Sequence, residues 1–366
     1  MSHPSEGIGS QDISHSISFG GEVDRWPRIA ELGNGRTGSV TLRLEPSSRD
    51  ESCGATSPTS EHEQHGTLHA VKRVARQHLQ SSKAIRSIFR EKDAMIALAG
   101  HPYMVNLRGT AKDPHDVYFI MEPILGGPLH KHIRAACCGH LEIQVATFYT
   151  AEIVSAIGHM HKLGFMHRDL KASNVVLSAS GHAKIIDFGR AKQVQLRSDD
   201  TWEKSYTYCG TSHCMAPEMI SGQGHTPAID WWALGILVHE MITGKPPFGY
   251  GGSELSQKIS RGLPPQRGVE GSSSRLDAGR EDEQAEDIFI LIVRSLLQVD
   301  PTQRLGGHAG AQEVMSHPWF SSINWEMIAK QQAEPPPFRR YLGELDRLED
   351  DASHASCAGP EAPFDF

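Results

Sequence analysis

Apolar positions along the chain fall first into short alternating runs and then into longer runs at helical spacing. Strands are predicted over 29–32, 39–44 and 68–74. A helix is predicted over 82–99, where Ile85, Ile88, Phe89, Met95, Ile96 and Ala99 recur on one face with Lys92 among them, and Gly100 suits its end. Two further strand-like runs, 105–107 and 117–121, complete a small sheet-plus-helix unit. After Gly126-Gly127 the period becomes helical. Over 143–163, Phe148, Ile153, Ile157 and Met160 fall near one face, and more helices are predicted over 228–243, 255–260, 286–297 and 311–315. Polar stretches punctuate this pattern. Residues 1–25 are rich in Ser, Gly and His and read as a disordered leader. The stretch 46–66 reads as a solvated loop insertion, and 263–284 as a Gly-, Ser- and charge-rich loop. From Glu334 the chain is Pro-rich and then acidic. His62, His65 and His69 come without cysteine or carboxylate spacing for a metal and read as loop.

Composition narrows the classes. The chain has 366 residues and a net charge of −8, so no broad basic surface for nucleic acid is expected. Cys53, Cys137, Cys138, Cys209, Cys214 and Cys357 form no CxxC pair or disulfide framework, which favours a reducing compartment. The start lacks a signal-peptide pattern, and Ser2 rules against myristoylation. No apolar run has the length of a membrane span, so membrane insertion is not expected.

The chemistry begins at Leu32, in LGNGRTGSV, with Gly33, Asn34, Gly35, Arg36, Thr37, Gly38, Ser39 and Val40 following. Glycines let a hairpin backbone approach phosphates without side-chain collision. A dinucleotide fold would need a helix directly after them, but a strand-like run follows, and no GK[ST] ending is present. Lys72 sits in an apolar strand, where a charge needs a partner. Glu91 on the next helix supplies one. Then comes HRDLKASN at 167–174. Asp169 can orient a hydroxyl and take its proton, and Lys171 can stabilise charge on a transferred phosphoryl group. Asn174 and, further on, Asp187 in Asp187-Phe188-Gly189 offer the oxygen ligands that Mg²⁺ prefers. Phosphoryl transfer asks chiefly for alignment and charge neutralisation, and this set supplies both.

From Trp26 to Phe320 the chain resembles a eukaryotic protein kinase. Ala216-Pro217-Glu218 resembles the end of that family's activation segment, and Asp230-Trp231-Trp232 its central helix, whose Asp anchors the catalytic loop. Arg304 matches the ion-pair partner of Glu218. Lys171 and Gly210-Thr211 resemble the serine/threonine class. Thr207-Tyr208-Cys209-Gly210-Thr211, Leu297-Gln298-Val299-Asp300 and His317-Pro318-Trp319-Phe320 with Trp325 resemble the AGC group, cyclic-AMP-dependent kinases most of all. The resemblance implies an α+β bilobal fold. Its small β-rich lobe covers about 26–122, its helical lobe about 123–320, and an AGC-type tail 321–366. It implies ATP and Mg²⁺ as cofactors, with Lys72 on the α- and β-phosphates. Adenine would lie between Leu32, Val40, Ala70 and Val176, meet backbone groups of Glu122 and Ile124, and have Met121 as gatekeeper. Thr207 is the implied activating phosphosite, received by Arg168. Cys209 is read as a packing residue. Pro363-Phe364-Asp365-Phe366 resembles the group's terminal hydrophobic motif.

The departures concern substrate. Pro128 and Ser173 replace two acidic residues of the peptide cleft, and only Glu240 matches as a substrate-binding carboxylate. Ser212-His213-Cys214-Met215 replaces the usual Pro-Glu-Tyr-Leu, and the tail lacks the Phe-Asp-Asp-Tyr stretch that helps cover adenine. The expected partners are protein substrates, an upstream activating kinase and a separate cyclic-nucleotide-binding regulatory subunit. The expected location is the cytoplasm, extending to the nucleus. The rival reading is a kinase-shaped scaffold with little activity. A small-molecule kinase is disfavoured by the peptide-platform elements around Ala216-Pro217-Glu218.

Overall fold

The computed structural model describes residues 17–18, 23–35, 38–46, 66–264 and 280–338. The chain begins with strands β1 (Ile17–Ser18), β2 (Arg28–Gly35), β3 (Gly38–Pro46) and β4 (Gly66–Ala75), followed by helix α1 (Ser82–Ala97) and strands β5 (Leu107–Lys112) and β6 (Asp116–Met121). These strands form one sheet in the order β1-β5-β6-β4-β3-β2. Its pleat puts Val71, Tyr118 and Ile120 into a small cluster with Val23 and Trp26, while Ala70, Val74 and Phe119 join the main core. The Ser81 hydroxyl caps α1 by accepting from the Ala84 N–H at 3.1 Å.

The second lobe comprises β7 (Gly127–Pro128), α2 (Leu129–Ala135), α3 (Ile143–Lys162), β8 (Phe165–Met166), β9 (Val175–Leu177), β10 (Ala183–Ile185), β11 (Lys192–Gln193), α4 (Pro217–Ile220), α5 (Ala228–Thr243), α6 (Leu255–Arg261), α7 (Arg280–Leu296), α8 (Ala311–Met315) and α9 (Trp325–Ala329). The short strands β10-β9-β7 and β11-β8 carry the loops of the site. Helix α5 is apolar all round, and Trp231, Trp232, Leu234, Ile236, Leu237 and Val238 are buried along it, as suits a helix at the centre of a lobe. A Cβ on its Gly235 would lie 2.8 Å from Leu296, so glycine there lets α7 pack close. Arg304 is fully buried. It donates to both oxygens of Glu218 at 2.7 and 2.9 Å and to the Ala228 carbonyl at 2.9 Å, and its guanidinium lies 5.2 Å from the Trp232 ring. Past α8, the Ile328 carbonyl in α9 accepts from the buried Tyr103 hydroxyl at 2.6 Å. Phe338 packs beside His132, with ring centroids 5.9 Å apart, and over Gly181.

Most predicted elements appear within a few residues of their expected ends. The leader departs from expectation. Ile17 and Ser18 pair parallel with Gly109 and Thr110 of β5, and Val23–Arg25 forms a 3-10 turn. In the stretch 46–66, Pro46 and Gly66 pair as strand ends, and the residues between them lie outside the described ones. His69 is not loop. It is buried on β4, with Nε2 2.7 Å from Glu45 Oε2. The strand expected over 105–107 begins at Leu107 and continues through the polar sequence RGTAK, while Met104 bridges instead to Ile185 of β10. The loop expected to reach 284 already becomes helix at Arg280. Helices α2, α4 and α9 had no counterpart in the apolar pattern. No described helix is long and apolar enough to cross a membrane.

Candidate active site

The glycine-rich hairpin joins β2 to β3, with Asn34 opposite Ser39 and Gly35 opposite Gly38. Arg36 and Thr37, at its tip, lie outside the described residues. Two glycines of the hairpin differ in what they permit. A Cβ on Gly38 would lie 1.9 Å from the Arg73 carbonyl oxygen, whereas one on Gly33 would meet nothing within 4 Å. Gly38 therefore serves the close packing of β3 on β4. Gly33 borders open space.

Below the hairpin, Lys72 on β4 reaches Glu91 on α1 at 2.5 Å and Asp187 at 3.5 Å. Burial opposes charge on the Lys72 ammonium, but Glu91 and Asp187 outweigh it and hold its pKa above the ordinary lysine range. Burial likewise pushes the Asp187 carboxyl up. Lys72 and the Gly189 N–H reverse that, and its pKa stays below the usual range. Asp187 adopts a left-handed backbone, φ 64°, which turns its half-exposed side chain toward the cleft. Phe188 is buried edge-on against His167, at 5.7 Å, and the Ser87 hydroxyl of α1 donates to the Gly189 carbonyl at 3.3 Å. These contacts tie α1 to the 187–189 segment.

The connection from β6 into the second lobe carries the residues expected to meet adenine. The Glu122 N–H donates to the Asn106 carbonyl at 3.0 Å, and its side chain meets Lys184 at 2.8 Å. Among the described residues, the Glu122 carbonyl and both backbone groups of Ile124 have no hydrogen-bond partner. Leu32, Val40 and Val176 are half-buried, and Ala70 and Met121 buried, as befits walls around such a site.

The loop 167–174 is held from beneath by Asp230 in the first turn of α5. Its carboxylate accepts from the His167 N–H, the Arg168 N–H and His161 Nε2, each at 2.9 Å. Burial pushes the Asp230 carboxyl up, but the His161 contact and the backbone donors keep its pKa low. Above it, Asp169 Oδ1 accepts from the Thr211 hydroxyl at 2.6 Å and Oδ2 from Lys171 Nζ at 3.2 Å, while Lys171 also donates to Thr211 Oγ1 at 2.7 Å. Asn174 Nδ2 donates to the Asp169 carbonyl at 2.8 Å, which leaves its Oδ1 as a free acceptor. A hydroxyl arriving at Asp169 thus meets an oriented carboxylate beside a cation. Asp187 and Asn174 present one anionic and one neutral oxygen, a donor set that suits a hard divalent cation.

The protein kinase domain family matches residues 54–320. The chain belongs to the protein kinase family. The match begins beyond the glycine-rich hairpin. A "cAMP-dependent protein kinase, catalytic subunit-like" protein of Caenorhabditis elegans is 33% identical, over 91% of this chain and 74% of its own length. Mouse "cAMP-dependent protein kinase catalytic subunit PRKX" is 32% identical, over 94% of this chain and 84% of its own. "Serine/threonine-protein kinase AtPK1/AtPK6" of Arabidopsis thaliana is 34% identical over 73% of this chain, which spans 53% of that protein. The kinase is of the serine/threonine class and AGC-like. It uses ATP with a divalent metal and acts on protein substrates, and its two-lobed α+β fold is the one expected.

Two expected pairings look different in the kinase. Thr207 is exposed, and Arg168 does not reach it. The guanidinium instead donates to the Arg190 carbonyl at 2.7 Å and to the buried Ser205 hydroxyl at 3.4 Å, and Lys192 joins it on Ser205 at 3.1 Å. Glu240 is nearly buried on α5 and takes a 3.0 Å hydrogen bond from the Tyr250 hydroxyl. Ser205, Lys192, Tyr250 and the Thr211–Asp169 bond were absent from the expected site. Thr211 was legible as a class marker, but its partner is distant in sequence. Phe364 and Phe366 lie outside the described residues.

Proposed function

We propose that the chain is an active, Mg²⁺-dependent serine/threonine kinase whose chemistry rests on Lys72, Glu91, Asp169, Lys171, Asn174 and Asp187. One observation carries this: Lys72 bridges Glu91 and Asp187 while Asp169 is oriented by Thr211 and Lys171, so the parts from both lobes stand assembled. Lys72 would hold the α- and β-phosphates, the Glu122 carbonyl and Ile124 N–H would meet the adenine edge, and Asp187 with Asn174 would hold the metal. Bound there, Mg²⁺ supplies neutralisation of phosphate charge. Asp169 orients the attacking Ser or Thr hydroxyl and accepts its proton on a carboxylate oxygen. Lys171 stands ready to offset charge on the transferred group. The test is phosphate transfer from Mg·ATP to a peptide library, with Asp169→Asn as control. Equal incorporation by both proteins would sink the reading.

Thr207 is the proposed activating phosphosite. Arg168 and Lys192 meet on Ser205 with no carboxylate in ion-pair reach of either among the described residues, so a nearby phosphate would complete the cluster. Thr207→Ala should lower activity, and phosphorylation by an upstream kinase should not rescue it. Unchanged activity in the phosphorylated wild type relative to Thr207→Ala would exclude the role. Glu240 is proposed to receive a cationic side chain of the substrate. It is a nearly buried carboxylate with no ion-pair partner among the described residues, and such a charge is costly until paired. The likeness to catalytic subunits of cAMP-dependent kinase supports a separate cyclic-nucleotide-binding regulatory subunit. Capture by such a subunit, and release by cyclic AMP, tests it. The proposed cytoplasmic and nuclear location rests on cysteine usage and is checked by fractionation.

A further inference from the structure

The surface beside Asp169 is built from three separate segments that converge on Glu240. The one-turn helix Ser212–Cys214 follows Thr211 directly and carries His213. His213 lies within electrostatic reach of Lys171 and Asp169. The His213 ring packs edge-on against Tyr250, with centroids 5.2 Å apart and planes at 73°. Tyr250, on the loop after α5, in turn donates its hydroxyl to Glu240 Oε1 at 3.0 Å.

Each link has a physical task. Burial pushes the Glu240 carboxyl toward its neutral form, and the Tyr250 hydrogen bond opposes that, helped by the charge of Arg134 on α2. Cys214, buried beneath, stays a thiol because burial and the Glu240 charge both push its pKa up. It is not a donor to Glu240. The donor that reaches the carboxylate is Tyr250, from a different segment. A carboxylate has lone pairs on both oxygens, so one hydroxyl on Oε1 leaves room for a guanidinium or ammonium.

We propose that Tyr250, braced by His213, is a positioning residue that aims and holds Glu240 as the carboxylate that reads one cationic side chain of the substrate. Pro128 and Ser173 bring no carboxylate, which leaves Glu240 as the one of the three expected cleft positions that carries one. The proposal rests on Glu240 being the receiving carboxylate, and the experiment separates the two.

Steady-state kinetics are measured on a serine peptide with an arginine upstream, and on the same peptide with citrulline there. Wild type should show a lower KM for the arginine peptide. Tyr250→Phe should raise that KM about tenfold, the scale of a hydrogen bond to a charged group, with kcat and the citrulline peptide unchanged. His213→Phe keeps an aromatic brace and should behave as wild type, whereas His213→Ala should lie between wild type and Tyr250→Phe. Melting temperatures confirm that the variants are folded. An unchanged arginine-to-citrulline ratio in Tyr250→Phe, with loss of the ratio in Glu240→Gln, overturns the role of Tyr250 alone. A wild type without preference, or one that Glu240→Gln leaves intact, overturns the Glu240 reading and the proposal with it.

Discussion

Replacing Asp230 by Asn isolates how the catalytic loop is held. Asp230 spans two successive backbone N–H groups, of His167 and Arg168, with one oxygen each, and it also holds His161. Arg168 sits at φ 66°, a left-handed conformation that costs a non-glycine residue roughly 1–2 kcal/mol. A hydrogen bond to a charged acceptor contributes about 1.5–3 kcal/mol. The two backbone bonds therefore exceed the strain, while one alone only about matches it. Asn keeps a single acceptor oxygen and sets an amide N–H against a backbone N–H, so the loop loses its hold and Asp169 drifts. At about 1.4 kcal/mol per factor of ten, kcat should fall roughly 10- to 100-fold. The assay is kcat on a saturating peptide, with melting temperature measured alongside over a pH series. The pH sign follows from the low pKa of Asp230 in the folded protein. Its stabilisation is present above the unfolded value, near 3.9, and is lost as pH falls through the folded value. The stability gap between wild type and Asp230→Asn should therefore narrow in acid. A variant within twofold of wild-type kcat, with an unchanged melting temperature, would refute the reasoning.

Three further outcomes are expected. Thr211→Val removes the hydroxyl that bonds Asp169 Oδ1 and Lys171; kcat should fall about tenfold while Thr211→Ser stays near wild type, in the same peptide assay. Arg304→Met leaves Glu218 charged and buried, at a cost of about 3–5 kcal/mol, or very roughly 6–20 °C in melting temperature; Arg304→Met with Glu218→Met should recover much of it, and an equally unstable double variant would count against the pairing. Gly38→Ala should destabilise the small lobe by forcing a Cβ onto the Arg73 carbonyl, whereas Gly33→Ala should leave melting unchanged in the absence of ATP, and calorimetry distinguishes them.

What could be read from the sequence follows a physical divide. Helix α5 was predicted with its observed ends, because an almost wholly apolar run finished by Gly244 in a left-handed conformation is a local signal. Strand β5 was misplaced because its polar residues carry no apolar alternation, and its pairing with β6 decides it. Lys72 and Glu91 were legible as a pair because a lysine in an apolar strand demands a carboxylate. The bond from Tyr250 to Glu240 was not, because nothing local in the loop marks Tyr250 as the partner of a carboxylate ten residues earlier. Ser205 escaped for a related reason. A buried serine meeting two cations looks, in sequence, like any other loop hydroxyl.

The hydrogen bond from Tyr103 to the Ile328 carbonyl also orders the chain in time. Tyr103 stands just ahead of β5 and β6, and the residue it needs is made long afterwards. During synthesis the small lobe and most of the helical lobe emerge before α9 exists, and until then the Tyr103 hydroxyl has Glu152 beside it but not the Ile328 carbonyl that ties it to α9. Arg304 and Glu218 impose a similar wait within the helical lobe. A nascent kinase that has already displayed its catalytic loop is therefore still unfinished, and the last described helix acts as the closing stitch.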